Sequence, residues 1–364
     1  MLVRAVVLAA ISQVVRCIPV GAADAGQECV FGGSDGVARI GMSKASCSSL
    51  VISAMEIAAG ETLDLTNLRE GSTVIFRGTT SFDHAEGGGH VFSISGSRIN
   101  IHCDQDCTLL GPGAQALIGG GRSSSLFHLE NLVDSSIAGL NIKNAPAHGF
   151  LLNNVQNLSI RNVSVDGGAG GGTGRGAAGF TISNSSNVVI DGSTVRGQDG
   201  CVAVDSGSNI AFTNGLCSNG NGITIGPAGR STTTTAISNI TVSDTTIEKA
   251  RVAAIQVQSD AGGSGAIDGV TFRNILIDGG GASGSGIVVN QAFDSRDQTL
   301  TPPNGVTIFD LRMRNVTGTV GQGAANVSIR CGLGDCHDWS WEGVSVTGGG
   351  RAVDCVNLPK GVSC

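Results

Sequence analysis

The residues best able to do chemistry lie in the segment 196–226, which reads RGQDGCVAVDSGSNIAFTNGLCSNGNGITIG. Asp199 offers a carboxyl group that can act as a general acid or a general base. By strand parity Asp205 lies on the same face as Asp199, either in a cleft or in a turn. Each histidine is interpreted by default as a surface residue or one with satisfied hydrogen bonds: His84, His90, His102, His128, His148 and His337.

The sequence contains 11 cysteines, of which Cys17 lies in an N-terminal segment that resembles a signal peptide. The other ten fall into pairs that are close in sequence, which predicts disulfides and an oxidising compartment but leaves the connectivity open. These pairs are Cys29/Cys47, Cys103/Cys107, Cys201/Cys217, Cys331/Cys336 and Cys355/Cys364. The run HCDQDC at 102–107 also resembles a metal site, but a disulfide is the favoured interpretation, and we expect no metal.

Residues 1–25 are predicted to be a signal peptide with an approximate cleavage position. Arg4 precedes a short apolar stretch at 5–15, and small residues follow at Ala22, Ala23 and Ala25. A buried N-terminal segment is the alternative. The stretch is shorter than the roughly 20 apolar residues that cross a bilayer. We therefore expect a secreted, extracellular protein with no membrane span.

The net charge of −7, without a long basic run, argues against nucleic acid or an anionic membrane as partner. Glycine is abundant, at 57 residues, and aromatic residues make up 4% of the chain, which favours short strands joined by tight turns. Glycosylation is predicted at some of six Asn-x-Ser/Thr sequons. These lie at Asn157, Asn162, Asn184, Asn239, Asn315 and Asn326.

The middle of the chain repeats a polar turn followed by a short alternating strand. Intervals of 21, 30, 22, 30 and 30 residues separate the marker residues Ser136, Asn157, Asn187, Asn209, Asn239 and Gly269. Repeats of this size without helical periodicity predict an all-β, right-handed parallel β-helix, with asparagines stacked at the turns. A β-propeller is the alternative, but its blades need about 40 residues.

We expect one domain over 26–364 with both ends of the solenoid capped, because an open end exposes a strand edge. The N-terminal cap is placed at 29–59, and the segment 43–61 is expected to contain the sizeable helix. Two small disulfide loops in 331–364 are expected to close the C-terminal end.

Several segments resemble, in order, the polygalacturonases of glycoside hydrolase family 28. They are GLNIKNAPAHGF at 139–150, QDGC at 198–201, GNGITIG at 220–226, PPNGV at 302–306 and CGLGDCHDWSWEGVSVTGGGRAVDCVNLP at 331–359. The resemblance implies a β-helix and hydrolysis, with inversion, of the α-1,4 bond between galacturonates in pectin. In that chemistry one carboxylic acid protonates the leaving oxygen, and a carboxylate base activates a water on the opposite side.

The family motifs map onto this chain with losses. The Asn-Thr-Asp motif falls on 176–178, which ends in Ala178, and the Asp-Asp pair falls on Asp199 and Gly200. The family's active-site histidine falls on Asn221. The resemblance therefore implies that Asp199 keeps the general-acid position, while the positions that assist a base carry no ionisable group.

The substrate-binding motifs differ as well. The family's Arg-Ile-Lys, which grips a substrate carboxylate, falls on Gln256-Val257-Gln258, and a substrate-stacking tyrosine falls on Phe293. Two positive charges are lost, so we expect weak binding of polygalacturonate. Replacement carboxylates could come from Asp205, Glu248 or Asp260, although solvated turn or edge charges are the favoured interpretation of all three.

The sequence thus predicts a monomeric pseudoenzyme, catalytically impaired or inactive and without a cofactor. It would bind a pectic cell-wall polysaccharide, neutral or esterified, or a protein inhibitor of active polygalacturonases. The alternative is an active pectin-degrading glycosidase that uses Asp199 as its general acid. A third hypothesis is a structural secreted protein without carbohydrate affinity.

Overall fold

The computed structural model describes residues 27–83, 89–104, 106–112, 125–145, 148–168, 178–228, 235–261, 263–282, 284–293, 302, 304–351 and 355–364. The predicted signal peptide at 1–25, together with His84, Gly176 and Ala177, lies outside the described residues. Within them there is one α-helix, α1 (Gly36–Ser43), followed by a 3-10 turn at Lys44–Ser46. In this part of the chain no helix is both long and apolar enough to cross a membrane.

Strands dominate the structure. In chain order they are β1 Gln27–Phe31, β2 Cys47–Ile52, β3 Met55–Ile57, β4 Leu63–Leu65, β5 Thr73–Phe76, β6 Thr79–Phe82, β7 His90–Ser97, β8 Asn100–Cys103, β9 Thr108–Leu110, β10 Ser125–Ala138, β11 Asn141–Lys143, β12 His148–Asn153, β13 Gln156–Arg161, β14 Ser164–Asp166, β15 Ala178–Ser183, β16 Ser185–Asp191, β17 Thr194–Arg196, β18 Gly200–Val204, β19 Gly207–Thr213, β20 Leu216–Ser218, β21 Ile223–Ala228, β22 Thr235–Glu248, β23 Ala253–Ser259, β24 Gly265–Asp278, β25 Ser285–Asn290, β26 Val306–Thr319, β27 Val327–Arg330, β28 Cys336–His337, β29 Ser340–Glu342 and β30 Ser345–Thr347.

Each strand pairs in parallel with the strand one coil further along, so the predicted parallel β-helix is confirmed. One wall, here called the cleft sheet, runs β4, β7, β10, β12, β15, β18, β21, β23, β25 and β27. A second wall begins with β1 and β2, and a third with β3 and β6. The strands β10, β22, β24 and β26 are 14 residues long and turn a corner from one wall to the next.

The core is a solenoid interior filled by alternate residues of every strand. Four phenylalanines of the cleft sheet stack in register, with ring centroids 4.7, 4.8 and 5.1 Å apart. They are Phe92, Phe127, Phe150 and Phe180. The predicted alternation is also confirmed, because Ile240 and Val242 are buried while Thr241 between them is half-buried.

The turns between the walls carry the predicted asparagine ladder. Each side-chain amide donates to the oxygen of the residue one coil earlier, at 2.7 to 2.9 Å. The members, Asp134, Asn157, Asn187, Asn209 and Asn239, all have φ between +51° and +56°. Asn and Asp tolerate this left-handed conformation better than other non-glycine residues, which explains their recurrence at the turn.

The N-terminal helix was expected within 43–61, and this expectation is wrong. The helix ends at Ser43, and the following residues form β2 and β3. The alternating apolar residues of this segment, such as Leu50 and Ile52, are buried, and β2 pairs with β1 and β5. Pairing on both edges favours strand over helix here. The described part of the chain contains five disulfides, which join the predicted pairs Cys29–Cys47, Cys103–Cys107, Cys201–Cys217, Cys331–Cys336 and Cys355–Cys364.

Candidate active-site cleft

The positions at which the family resemblance places catalytic residues lie together in the middle of the cleft sheet. Ala178 opens β15 and is the direct register partner of Gly200, which opens β18. Asp199 immediately precedes β18, and Asn221 lies one coil further on, just before β21. Parallel pairing therefore brings residues 22 and 43 positions apart in sequence to one edge of the wall.

Asp199 is held by its neighbours. Its Oδ1 accepts a 2.7 Å hydrogen bond from Nδ2 of Asn221, and its main-chain carbonyl accepts one from the main-chain N–H of Asn221. The Asp199 side chain keeps 18% of its surface exposed. The carboxyl group is thus oriented by the next coil and still reaches solvent.

A cation that the sequence analysis missed lies beside this carboxyl group. Nη2 of Arg251 is 3.8 Å from Oδ1 of Asp199 and donates a 3.1 Å hydrogen bond to the carbonyl of Gln198. The main-chain N–H of Arg251 donates to the carbonyl of Gly220, which fixes the loop that carries it. No motif marks Arg251 in the sequence, because its position follows from the bend before β23.

The wall next to Asp199 is apolar. Ala178 is buried, and a Cβ added to Gly200 would lie 3.2 Å from Cβ of Ala178. These two positions, where the family resemblance implies carboxylates, have no group that can accept a proton from water. A side chain added at Gly200 would therefore lie directly against Ala178.

Gln256 and Gln258 do not face the cleft as a pair of free amides. Nε2 of Gln258 donates to Oε1 of Gln256 at 3.0 Å, and Nε2 of Gln256 donates to the carbonyl of Asn221 at 2.9 Å. Both side chains are buried. Their donors satisfy protein acceptors, so the structure offers no charged grip at the position where the resemblance places one.

Phe293 and two of the proposed replacement carboxylates lie at strand ends. Phe293 follows β25, is half-buried, and its main-chain N–H donates to the carbonyl of Ser259. Asp205 follows β18, and its Oδ2 accepts from Oγ of Ser183 at 3.4 Å. The main-chain N–H of Asp260 donates to the carbonyl of Ala228.

The third proposed carboxylate lies closer to the site. Glu248 lines a narrow depression, too small to hold a water molecule, together with Gln198, Gly200 and Gly220, beside the disulfide between Cys201 and Cys217. Asp205 and Asp260 are not among the residues that line it. Register pairing of β20 with β22 brings Glu248 to this depression, opposite Ser218. Of the three carboxylates, Glu248 is the one that shares this space with Gln198 and Gly200 of the Asp199 segment.

Three histidines occupy the cleft sheet on the N-terminal side of Ala178. His90 is the register partner of Ser125, which in turn is the partner of His148. Nδ1 of His148 accepts a 3.2 Å hydrogen bond from the main-chain N–H of Ala178. Within the described residues, no group of three or more His, Cys, Asp or Glu side chains is arranged to hold a metal ion.

Comparison with known proteins settles the family. The sequence model of the family glycosyl hydrolases family 28 matches residues 47–364 of this chain. The chain belongs to glycoside hydrolase family 28. Two relatives are the probable endopolygalacturonase A of Aspergillus parasiticus, 39% identical over 88% of both chains, and a polygalacturonase of Penicillium griseoroseum. The latter is 38% identical over 92% of this chain and 90% of that protein.

Solved structures agree on the fold of this family 28 protein. Endopolygalacturonase I from Stereum purpureum, complexed with two galacturonates, aligns with a TM-score of 0.76 at 24% identity, over 91% of this chain and 98% of that one. Endo-xylogalacturonan hydrolase from Aspergillus tubingensis aligns with a TM-score of 0.76 at 19% identity, over 93% and 98%. At this level of identity, the likeness establishes the β-helix.

In this family 28 protein, the cleft has the carboxyl group of Asp199, the cation Arg251 beside it, and neutral amides at Gln256 and Gln258. The sequence could have revealed the register position of His148. The interval of 30 residues from His148 to Ala178 equals that from Asn157 to Asn187.

Proposed function

We propose that this protein is a secreted glycosidase that cleaves a pectic polysaccharide slowly, with Asp199 as the general acid. The observation that carries the proposal is the placement of Asp199. Its carboxyl group is oriented by the 2.7 Å hydrogen bond from Asn221, lies at the cleft edge and remains partly exposed. The relatives' names, endopolygalacturonase and polygalacturonase, support a pectic substrate.

The slow rate follows from what surrounds the acid. Ala178 and Gly200 cannot take a proton from the attacking water, and general-base assistance contributes roughly 10²–10⁴-fold. Glycosidases accelerate hydrolysis by far larger factors, so the loss of this assistance still leaves a rate that sensitive assays detect. Glu248, in the depression beside Gly200, is the carboxylate we assign to a partial base role.

The choice of substrate follows from charge. The buried, mutually bonded Gln256 and Gln258 offer no cation at the position of the family grip. A methyl-esterified or neutral pectic residue loses less binding free energy at this position than a galacturonate does, because it carries no charge that needs a partner. We expect partly esterified pectin to be a better substrate than polygalacturonate.

The absence of a carboxylate at Ala178 and Gly200 also favours a second function. If Ala178 and Gly200 abolish hydrolysis, the protein is a pseudoenzyme that binds pectic polysaccharide without cutting it. Such a protein could also occupy a protein inhibitor of active polygalacturonases. Titration with a purified inhibitor of this class, read as protection of an active polygalacturonase, tests that role.

Reducing-end release from four substrates separates these functions: polygalacturonate, methyl-esterified pectin, rhamnogalacturonan and xylogalacturonan. We expect slow release by the wild type in mildly acidic solution, total loss in Asp199→Asn, and partial loss in Glu248→Gln. Asp205→Asn is the matched control and keeps the wild-type rate. Release that survives Asp199→Asn rejects the assignment of the acid, and silence on all four substrates leaves the binding function.

A further inference from the structure

Three imidazole rings form a cluster in the cleft sheet, two to four coils from Gly200 on its N-terminal side. His90 begins β7, His128 lies in β10 and His148 begins β12. The rings of His90 and His128 are stacked, with centroids 4.0 Å apart and planes 18° apart. His90 and His148 flank Ser125 in the register, so the cluster covers three consecutive coils.

The cluster is continuous with the Asp199 site. Nδ1 of His148 lies 2.9 Å from Oγ1 of Thr181, and it accepts the main-chain N–H of Ala178. Ala178 is in turn the register partner of Gly200. Neighbouring strands are 4.7–4.9 Å apart, so the row places His148 about 10 Å from Gly200. A polysaccharide lying along the cleft that meets Asp199 therefore also meets the histidines.

The groups that face His90 set its protonation. Nδ1 of His90 bonds to Oγ of Ser125 at 2.8 Å. Burial, followed by repulsion from His128 and His148, lowers the pKa of His90, while Glu130 on β10 acts in the opposite direction. Protonation of these two stacked rings brings like charges together, and an anion bound at their edges would relieve the repulsion.

We propose that His90 and His128, beside His148, form a binding site for the carboxylate of a uronic acid residue, and that this site strengthens as the solution is acidified. Imidazolium N–H groups give charge-assisted hydrogen bonds to carboxylates. The site would supply the cationic contact that Gln256 and Gln258 do not offer. The inference rests on the proposed function in that a pectic polysaccharide occupies this cleft.

The experiment uses D-galacturonate, a monosaccharide with no glycosidic bond to cleave, and its methyl ester as the neutral probe. Isothermal titration calorimetry of the full-length protein is carried out at about pH 5 and about pH 7.5, in buffers of different ionisation enthalpy. We expect tighter binding of galacturonate at the lower pH, with proton uptake, and weak binding of the ester. Since one charge-assisted contact is worth roughly tenfold in affinity, His128→Gln should weaken acidic binding about tenfold.

His337→Gln is the matched control, because His337 pairs with Asp338 near the C-terminus and lies outside the cleft sheet. The imidazole signals of histidine-labelled wild-type protein give a second readout that needs no variant. We expect the His90 and His128 signals to shift towards the protonated form when galacturonate is added. Equal binding of acid and ester, or unchanged binding in His128→Gln, would overturn the proposal. Hydrolysis of esterified pectin by the same preparation would leave the proposed function standing.

Discussion

The amide of Asn221 donates a 2.7 Å hydrogen bond to Oδ1 of Asp199, and its main-chain N–H donates to the Asp199 carbonyl. The Asp199 carboxyl group is therefore oriented by a residue one coil away. In the family pattern that residue is a histidine. Asparagine keeps a hydrogen-bond donor at this place but does not titrate near neutral pH, so the orientation of Asp199 is independent of pH in that range.

Replacing Asn221 tests this orientation. Asn221→Ala removes the side-chain bond, and we expect a loss of about 1–3 kcal/mol in the free energy of unfolding, since the acceptor is largely buried. We also expect reducing-end release to fall with it. Urea unfolding and the pectin assay measure the two effects. Asn141→Ala, which removes a 3.4 Å bond to Thr108 at a position without positive φ, is the control; a stability equal to that of the control would contradict the prediction.

Restoring carboxylates should restore chemistry. We expect the double change Ala178→Asp and Gly200→Asp to raise kcat/KM on esterified pectin by about 10²–10⁴-fold, the contribution of a general base. Gly200 is not in a left-handed conformation, so a side chain fits its backbone, and the 3.2 Å contact of the new Cβ needs a shift of tenths of an ångström. The same pair in an Asp199→Asn background must stay inactive. A rate that rises there too would show that Asp199 is not the acid.

The phenylalanine stack predicts a large effect on stability. Phe150→Ala leaves a cavity between Phe127 and Phe180, and we expect it to cost about 3–5 kcal/mol of the free energy of unfolding. Phe309→Ala is the control, because Phe309 is only half-buried beside His337. Urea denaturation compares the two variants, and an equal loss of unfolding free energy in both would contradict the prediction.

The carboxylate of Asp191, at the end of β16, predicts that the stability of the fold is sensitive to acid. Hydrogen bonds from the Thr213 hydroxyl and the Asn214 amide lower the pKa of Asp191. A folded-state pKa below the unfolded value of about 3.9 gives a stabilisation that is present above that pH and is lost as the pH falls through the folded-state pKa.

Thr213→Val should therefore reduce stability at pH 7 and flatten this loss in acid. Unfolding in urea at pH 7 and at about pH 3 measures the difference between the two proteins. Thr241→Val, at a half-buried site away from Asp191, controls for the change of side chain. An unchanged pH dependence in Thr213→Val would remove Asp191 from the explanation.

Repeat spacing predicted the fold because each coil uses the same few residues. The steps of 30 and 22 residues from Asn157 to Asn187 and Asn209 are register steps of the ladder, and a single sequence displays them. Asp199 and its apolar neighbours were likewise placed by motif.

The sequence did not predict the direction of the side chains. The family resemblance places Gln256 and Gln258 at a substrate-binding position, yet these side chains bond to each other and to the Asn221 carbonyl. Arg251 approaches Asp199 because the chain bends before β23, and no pattern in the sequence encodes that bend. The helix was wrongly expected within 43–61, because this segment forms β2 through its pairing with β1 and β5. The segment alone does not reveal those pairings.

The long strands β22, β24 and β26 limit the insertions and deletions that the protein can tolerate. Each runs 14 residues around a corner and stays in register with its neighbour from Thr235 opposite Gly265 to Glu248 opposite Asp278. Deleting one codon in this stretch would slip every downstream pair and turn apolar side chains such as Ile247 outward. Length variation in this half of the protein should therefore be confined to the connecting loops, and natural variants should differ there by insertion and within the strands by substitution.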